Sequence, residues 1–252
     1  MLVIFTMTKT LILIPSRMAA KRLPGKPLLE INNLSIISHV FKKGEEANIG
    51  EVVVATEDQK IFDDVLKNGG KAVLTSNKHK TGTDRIFEAY KKLEIKDIDY
   101  ILNLQGDEPN INKKDIIRLN TFMINNQSDI GTLAAKIRDE SMLTNKDLVK
   151  VITKDKLENN NFPLALNFSR NDLSEINKNI YHHIGIYCYK VSTLEKFVNL
   201  KQTKNEIENK LEQLRAIDNN LNINVALAES SSLGVDTKED YLAIKKIMEY
   251  KL

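Results

Sequence analysis

Short apolar runs alternate with amphipathic stretches over the first hundred residues of the chain. Runs typical of buried strands lie at residues 11–14, 51–55, 71–74 and 100–104. Between them, apolar residues recur at helical spacing over residues 34–46, 59–67 and 83–93. Such alternation of strands and helices is typical of a parallel sheet covered by helices. The pattern therefore predicts an α/β fold with a mostly parallel central sheet.

The alternation breaks beyond residue 111. A helix is predicted to about residue 125, and β-rich runs follow at residues 130–137, 149–153, 164–168 and 181–189. Towards the C-terminus, the pattern predicts a helix over 206–218 capped by Asn205, a strand over 222–228, and a last helix opened by a capping box of Thr237 and Asp240. We interpret residues 1–252 as one domain, with a core of residues 8–129 and 190–252 and a lobe of residues 130–189.

Composition narrows the class of protein. The 252 residues include 37 basic and 34 acidic side chains, a net charge of +3 that does not favour a nucleic-acid-binding protein. The sole cysteine, Cys188, excludes an intrachain disulfide and favours a reducing cytoplasm. The apolar residues 2–14 are interrupted by Lys9, are too short to span a membrane and lack the features of a signal peptide. Met1 and Met7 are equally good initiators.

A basic loop follows the first predicted strand. Arg17, Arg22 and Lys26 lie around a turn in which Pro24 and Pro27 flank Gly25, residue types that restrict the loop to few conformations. A loop that leaves the carboxyl end of a parallel strand opens into the crevice where ligands bind. The loop is therefore predicted to bind a triphosphate. The alternative is a solvated basic loop, whose cations contribute little to stability.

Two aspartates also follow strand-like runs. Asp107 stands in a turn between Gly106 and Pro109, and Asp236 precedes the last predicted helix. Carboxylates at the carboxyl ends of parallel strands can reach one crevice, and Mg²⁺ is usually held by one or two carboxylates together with substrate phosphates. The sequence thus predicts a shared Mg²⁺ site. The alternatives are a turn aspartate at 107 and a helix-starting aspartate at 236.

Further polar residues lie at a helix start and on one strand face. Thr81 or Thr83 caps a helix whose free amides can hold a nucleotide, unless the cap merely accompanies a surface pair of Asp84 and Arg85. His183 and Tyr187 are four residues apart on a predicted strand and face the same side. That face offers two polar tips to a ligand, or else carries a hydrogen-bonded core histidine and a packed ring.

The predicted helix over 206–218 carries two more polar candidates. Its buried stripe is formed by four apolar residues: Ile207, Leu211, Leu214 and Ile217. Glu212 and Gln213 then flank the core. The alternative for Glu212 is a simple pair with Arg215.

Eight motifs resemble those of the 3-deoxy-manno-octulosonate (KDO) cytidylyltransferases. In chain order they are IPSR at 14–17, RLPGKPL at 22–28, VAT at 54–56, GTDR at 82–85, NLQGDEP at 103–109, HIGIY at 183–187, LEQLR at 211–215 and GVDT at 234–237. The resemblance spans nearly the whole chain. It implies a Rossmann-like nucleotide-diphospho-sugar transferase fold with a smaller β-rich dimerisation lobe, and a cytoplasmic homodimer.

The same resemblance implies an activity and roles for residues. The activity is transfer of CMP from CTP to KDO, with Mg²⁺, for lipopolysaccharide biosynthesis. The catalytic group comprises Arg17, Lys26, Asp107 and Asp236, of which the two aspartates hold the metal. The CTP-binding residues comprise Arg17, Arg22, Lys26, Thr81, Thr83, Arg85 and Gln105. The sugar-acid-binding residues comprise Gln105, His183, Tyr187, Glu212 and Gln213.

The chain departs from this family mostly where the sugar would bind. Ala20 and Lys21 replace a hydroxyl pair, His182 stands where arginine is frequent, and Lys238 replaces a proline. The segment after Arg170, up to Tyr181, is shorter than the same segment in the family. Two alternatives therefore stay open: a cytidylyltransferase for 8-amino-KDO or another ulosonic acid, and a non-catalytic nucleotide-binding regulator. The second predicts a broken metal pair, whereas Asp107 and Asp236 are both present.

Overall fold

The computed structural model describes residues 8–19, 22–176, 179–229 and 234–250. The strands are β1 (Thr10–Ser16), β2 (Glu30–Ile31), β3 (Leu34–Ser35), β4 (Gly50–Thr56), β5 (Ala72–Leu74), β6 (Tyr100–Asn103), β7 (Ile130–Ala135), β8 (Lys150–Thr153), β9 (Ala165–Ser169), β10 (Asn179–Lys190) and β11 (Ile223–Leu227). The helices are α1 (Ile36–Ala47), α2 (Gln59–Lys67), α3 (Gly82–Leu93), α4 (Lys113–Asn126), α5 (Ser141–Thr144), α6 (Val191–Val198), α7 (Lys204–Asn209), α8 (Leu214–Asp218) and α9 (Lys238–Glu249), with a 3₁₀ helix at Lys26–Leu28.

One nine-stranded sheet forms the centre of the fold, with the order β11-β7-β10-β6-β1-β4-β5 and with β8 and β9 attached at β10. β1 pairs in parallel with β4 and β6, and β7 with β11. β10 runs antiparallel to β6, β7 and β8. The predicted α/β class and mostly parallel sheet are confirmed. The parallel strands consequently end at one edge of the sheet.

The core has two layers because both faces of the sheet are covered by helices. Along β1, Leu11 and Leu13 pack on one side with residues of α3, α6 and α8. Ile12 and Ile14 pack on the other side with residues of α1, α2 and α4. Burial on both faces explains why β1 is a continuous apolar run rather than an alternating one.

Helix ends follow local capping chemistry. α2 matches its predicted bounds, and Asp58 caps it. Thr81 caps α3 through a bond from the Asp84 amide, and the predicted capping box of Thr237 and Asp240 opens α9. Side-chain oxygens that accept these first amides satisfy groups that have no partner within the helix. These local signals are readable in the sequence.

The predicted helix over 206–218 is wrong. The chain forms two short helices, α7 and α8, because Lys210 has a left-handed conformation with φ of 54° and ends α7. Thr203, not Asn205, is the cap, and it forms a capping box with Glu206. Ile207 is 58% exposed and lies outside the core, whereas Leu211 and Leu214 are buried. The break lets the turn between the helices follow the core.

The predicted lobe of residues 130–189 shares its ends with the main sheet. β7 lies between β11 and β10, and residues Tyr187–Lys190 of β10 pair with β6. β8, β9 and the first part of β10 extend the same sheet to one side of the main strand order. The excursion therefore starts after β7 and returns within β10, while the role of the lobe in dimerisation stays a prediction.

Across the described ranges, the structure contains no helix that is long and apolar enough to cross a membrane. The choice between Met1 and Met7 falls outside those ranges, as do Ala20 and Lys21.

Candidate active site

A pocket of about 720 Å³ opens at the carboxyl ends of β1 and β6. Its lining brings together four separate parts of the chain: the basic loop after β1, the start of α3, the turn that carries Asp107 and the turn that carries Asp236. Five fixed cations and two carboxylates line it: Arg17, Arg22, Lys26, Lys80, Arg85, Asp107 and Asp236. This excess of positive charge suits a polyanionic ligand.

The basic loop is held in shape by its own backbone. Gly25 has φ of 75°, a left-handed conformation that favours glycine, and its amide donates to the carbonyl of Met18 at 3.1 Å. Lys26 and Pro27 then begin the 3₁₀ helix. The turn aims Lys26 into the pocket, while Arg17 is exposed at its rim.

Close backbone approach positions Asp107. A Cβ at Gly106 would lie 2.8 Å from the carbonyl oxygen of Pro15, so only glycine lets this turn pack against the end of β1. The carbonyl of Asp107 accepts the amide of Val235 at 2.9 Å. That bond joins the turn after β6 to the segment before α9, and so brings Asp236 beside Asp107.

The ammonium of Lys26 lies between the two carboxylates. Its Nζ is 2.7 Å from Asp107 Oδ2, 3.0 Å from Asp236 Oδ1 and 2.8 Å from the Val235 carbonyl. Arg22 Nη2 contacts the other oxygen of Asp236 at 2.7 Å. Burial opposes the charge of Lys26, but the two carboxylates outweigh it and raise the pKa of the lysine.

The carboxylate pair fits a magnesium ion. Both groups offer hard oxygen donors at the mouth of a cationic pocket, and Mg²⁺ commonly takes one or two carboxylates and completes its shell with phosphates and water. No cluster of three or more histidine, cysteine, aspartate or glutamate side chains occurs in the part of the chain that the structure describes.

Arg85 is buried at the start of α3, and its partner was not predicted. Its guanidinium contacts Glu57 and donates to Thr75 Oγ1 at 2.7 Å. Arg85 thus pairs with Glu57 instead of forming the alternative surface pair with Asp84. The pKa of Arg85 is lowered, mainly by burial and also by the nearby charge of Arg17, although Glu57 opposes this shift. Glu57 directly follows β4, and its position at the carboxyl end of a parallel strand was the signal available in the sequence.

His79 also lines the pocket and was missed. Its Nε2 contacts Glu88 on α3, and both oxygens of Glu88 accept the amide of Ser76. Burial of Glu88 is outweighed by hydrogen bonds from Lys92, His79 and Ser76, which lower its pKa to about 2. This anchored loop, residues 75–81, forms one wall of the pocket. His79-Lys80-Thr81 shows no hydrophobic periodicity, so the sequence pattern gave no indication that His79 lines a pocket.

We call Arg17, Arg22, Lys26, Asp107 and Asp236 the nucleotide side, and Gln105, His183, Tyr187, Glu212 and Gln213 the sugar side. Gln105 alone of the sugar side lines the pocket, and its Nε2 donates to the Gly185 carbonyl at 3.1 Å. Gly185 lies in a bulge of β10 that inserts two residues between the partners of Leu133 and Thr132. An even insertion keeps His183 and Tyr187 on one face, as predicted.

His183 lies in packed surroundings. Its Nε2 is 3.0 Å from Thr132 Oγ1, its ring meets the edge of Phe168, and its centroid is 5.5 Å from that of Tyr187. Burial lowers the pKa of His183 to about 3, with smaller contributions from His182 and Arg170. The imidazole is therefore neutral near pH 7. This geometry matches the core-histidine alternative, and a sugar contact by His183 stays a prediction.

Glu212 and Gln213 lie in the turn between α7 and α8. Glu212 Oε2 accepts a hydrogen bond from Thr83 Oγ1 at 3.1 Å, which places Thr83 beneath the pocket rather than on its lining. Arg215 is 3.8 Å from Glu212 Oε1, so the predicted pair exists but is loose. Burial raises the pKa of Glu212 to about 7, although Arg215 and Thr83 lower it. Gln213 is half-buried at the start of α8.

Comparison with known proteins identifies the family. A family model described as cytidylyltransferase matches residues 11–223. The 3-deoxy-manno-octulosonate cytidylyltransferase of Bartonella bacilliformis is 39% identical over 241 residues, which cover 95% of this chain and 98% of that protein. The protein of the same name from Rhodopseudomonas palustris is 41% identical over 97% of this chain and 100% of its own length. The chain belongs to the 3-deoxy-manno-octulosonate cytidylyltransferase family.

A solved structure agrees with this membership in the cytidylyltransferase family. The structure of CMP:2-keto-3-deoxy-manno-octonic acid synthetase complexed with CTP superposes with a TM-score of 0.88 at 33% identity, covering 97% of this chain and 100% of that one. The resemblance seen in the eight motifs, and the nucleotidyltransferase fold it implied, are confirmed. The roles of individual site residues stay predictions.

Proposed function

We propose that this protein transfers CMP from CTP to the anomeric hydroxyl of KDO and releases pyrophosphate, for lipopolysaccharide biosynthesis. The observation that carries this proposal is the Lys26 ammonium bound to both Asp107 and Asp236 within a pocket rich in cations. Relatives about 40% identical over nearly the full length carry the name of this activity, which supports the choice of nucleotide and acceptor.

The nucleotide side has the charges needed to bind the triphosphate. Arg17 stands exposed at the rim, whereas Arg22 and Lys26 are paired with carboxylates that they can exchange for phosphate oxygens. Such charge-assisted bonds place the α-phosphorus and neutralise charge that grows on the leaving pyrophosphate. No serine, cysteine or histidine nucleophile is required, because phosphoryl and nucleotidyl transfers depend mainly on positioning and charge stabilisation.

We further propose that Asp107 and Asp236 hold Mg²⁺. Their carboxylate oxygens would hold the ion, which would supply positive charge to offset that of the phosphates during transfer. With both carboxylates committed to the ion, the Lys26 ammonium would be free to contact phosphate.

The acceptor is proposed to bind on the sugar side. Gln105, Glu212, Gln213, His183 and Tyr187 would hold the carboxylate and hydroxyls of KDO beside the α-phosphate. A bond forms between the anomeric oxygen and the α-phosphorus, the bond from that phosphorus to the oxygen bridging the α- and β-phosphates breaks, and the hydroxyl proton passes to solvent. The protein contributes alignment of the two substrates for in-line attack.

One assay tests the reaction and its rivals. Pyrophosphate release is measured with CTP, Mg²⁺ and one acceptor at a time: KDO, 8-amino-KDO and a different ulosonic acid. The highest kcat/KM is expected with KDO. A higher value with 8-amino-KDO or the other acid would reassign the acceptor and keep the reaction. Binding of CTP without release of its pyrophosphate in the presence of any of the three acceptors would favour the regulator and overturn the proposed function.

We also propose a cytoplasmic homodimer. The only cysteine, Cys188, is a buried free thiol, which agrees with a reducing compartment. Among the strands that the structure describes, β8 is the one paired along β9, with a single bridge from Leu164 to Asn224 beside it, and Leu166 on β9 is 50% exposed. A strand of this kind at the free edge of a sheet is a natural interface. Light scattering after gel filtration should give twice the mass of 28.7 kDa, and a monomer across micromolar concentrations would contradict the dimer.

A further inference from the structure

A buried ion pair joins the two helices that flank the sugar-side turn. Glu206 on α7 accepts from Arg215 on α8 through both oxygens, at 2.8 Å from Nε and 2.6 Å from Nη2. Both side chains are nearly inaccessible, at 4% and 3% exposure. A forked pair of this kind fixes the direction as well as the distance between its two elements.

The turn held by this pair is short, and its backbone is bonded to both helices, with the Arg215 amide donating to the Glu212 carbonyl at 3.0 Å. α7 ends at the left-handed Lys210, α8 begins after Gln213, and only Leu211, Glu212 and Gln213 lie between. The amide of Leu211 bonds to the carbonyl of Glu206 at 3.3 Å, so the turn hangs directly from the residue that binds Arg215. A shift of α7 relative to α8 would consequently move Glu212.

One carboxylate oxygen of Glu212, Oε1, has room for a further hydrogen-bond donor. The other oxygen, Oε2, accepts a hydrogen bond from Thr83 Oγ1. The buried Oε1 has no partner that meets hydrogen-bond geometry, although the Thr81 hydroxyl lies near the carboxyl group and Arg215 Nη2 is 3.8 Å from Oε1. A buried acceptor without a donor is costly and indicates a place for a ligand donor such as a hydroxyl. The direction of this oxygen depends on the turn, and therefore on the pair beneath it.

We propose that Glu206 and Arg215 are positioning residues for acceptor recognition, which act by fixing the turn that presents Glu212 and Gln213. This inference rests on the proposed function, because it concerns binding of the sugar acid in that reaction. Neither residue lines the pocket. Thr203 and Gln202 also bond to Glu206, which makes α7 rigid from its first turn up to the pair.

The test separates the two substrates in steady-state kinetics. Arg215→Lys keeps the charge and loses the fork, so the KM for KDO should rise about tenfold or more, because misplacement of a binding group by about 1 Å is costly. The KM for CTP should change less than about twofold, since the nucleotide side does not contact this pair. Glu206→Gln keeps an acceptor of the same shape and should give an intermediate rise in the KM for KDO.

Asp218→Ala is the matched control. Asp218 also joins α7 to α8, through Thr203 at 2.5 Å and Asn205 at 3.2 Å, but at the exposed ends of the helices and away from Glu212. It should leave both KM values unchanged. All variants are assayed at least 10 °C below their own melting temperatures, and Glu206→Gln carries the comparison if Arg215→Lys is unfolded.

The outcomes are distinguishable. Equal rises in the two KM values, a loss of kcat alone, or a rise in the Asp218→Ala variant that matches Arg215→Lys would overturn the positioning role. Unfolding of both Arg215→Lys and Glu206→Gln would also overturn it, since the pair would then be essential to the fold and not specific to the turn. Failure of the unchanged protein to release pyrophosphate would overturn the proposed function instead.

Discussion

The nucleotide side and the sugar side contain similar polar groups in opposite surroundings. On the nucleotide side, Lys26 and Arg22 form ion pairs at the mouth of an open pocket. On the sugar side, His183 lies in packed interior and Glu212 is partly buried. Burial lowers the pKa of His183 to about 3 and raises that of Glu212 to about 7. Charges near water stay charged and can exchange partners, whereas buried groups move towards neutrality.

This difference separates two tasks. The nucleotide side must release one cation from its carboxylates and accept a polyanion, so its ion pairs have to be exchangeable. The sugar side must distinguish one polyol from another, and rigid, unpaired hydrogen-bonding groups in a dry site discriminate more sharply than solvated ones.

The largest effect is expected from the carboxylates. Asp107→Asn and Asp236→Asn should each lower kcat at least about 100-fold and abolish the response to Mg²⁺, because each removes charge from one shared site. The double variant should be little worse than either single one, since the residues act as a unit. Pyrophosphate release is measured across a Mg²⁺ titration.

A suitable control for the carboxylates is Asp97→Asn, because Asp97 is 83% exposed and distant from the pocket. Its activity should be unchanged. Losses that multiply in the double variant, or an Asp236→Asn enzyme with normal Mg²⁺ dependence, would refute the shared site and leave Asp236 as a helix-starting residue.

The next effect concerns Lys26. Lys26→Ala should lower kcat/KM for CTP about 10- to 100-fold, because a phosphate-binding cation is lost. From sequence alone, a solvated cation would leave stability unchanged, but Lys26 is only 13% exposed and holds two carboxylates. The unliganded variant should therefore melt a few degrees lower, at a cost of about 1–3 kcal/mol.

Lys80→Ala supplies the comparison, since Lys80 is an exposed cation of the same pocket. Its melting temperature should match that of the unchanged protein. An unchanged CTP titration for Lys26→Ala would show that the lysine has no part in nucleotide binding, and an unchanged melting temperature would show that its ion pairs are not formed in solution.

A smaller and more selective effect is expected at Gln213. Gln213→Ala should raise the KM for KDO about tenfold and the KM for CTP less than about twofold, because loss of a donor leaves a substrate hydroxyl unpaired. Gln59→Ala, an exposed glutamine on α2, should change neither value. Similar changes in both KM values for Gln213→Ala would argue against a sugar contact.

The smallest effect is a pH dependence of stability at Glu212. Its pKa is raised from 4.5 to about 7, so between these values the folded chain keeps a proton that the unfolded chain has lost, and stability falls as the pH rises. Glu212→Gln removes this loss. The stabilisation of Glu212→Gln over the unchanged protein, measured as the free energy of unfolding, should be about 1–3 kcal/mol larger at pH 8 than at pH 4. This range is reduced because the Glu212 side chain is 29% exposed to solvent.

Urea unfolding at the two pH values measures this difference. Glu208→Gln is the control, because Glu208 lies on α7 with a side chain that is 62% exposed. It should follow the unchanged protein at both values. A difference between Glu212→Gln and the unchanged protein that is the same at pH 4 and pH 8 would show that Glu212 titrates normally.

Features encoded in consecutive residues were predictable from the sequence. The apolar run of β1, the Gly25 turn and the Thr81 and Thr237 caps depend on conformational preferences of a few neighbouring residues. The basic loop, the turn of Asp107 and the family resemblance could be recognised for the same reason. The parallel sheet followed, because strands that alternate with helices have few other ways to pack.

Tertiary structure decided everything that depends on residues distant in sequence. The contact of Lys26 with Asp236, the pairing of Arg85 with Glu57 and the burial of Glu212 beneath Thr83 join separate elements. The split of the predicted helix over 206–218 was likewise decided by where Leu211 and Leu214 could be buried. Residue type sets which charges exist, but their partners, and hence their pKa values, are set by the fold, because burial and charge separation are properties of three-dimensional packing.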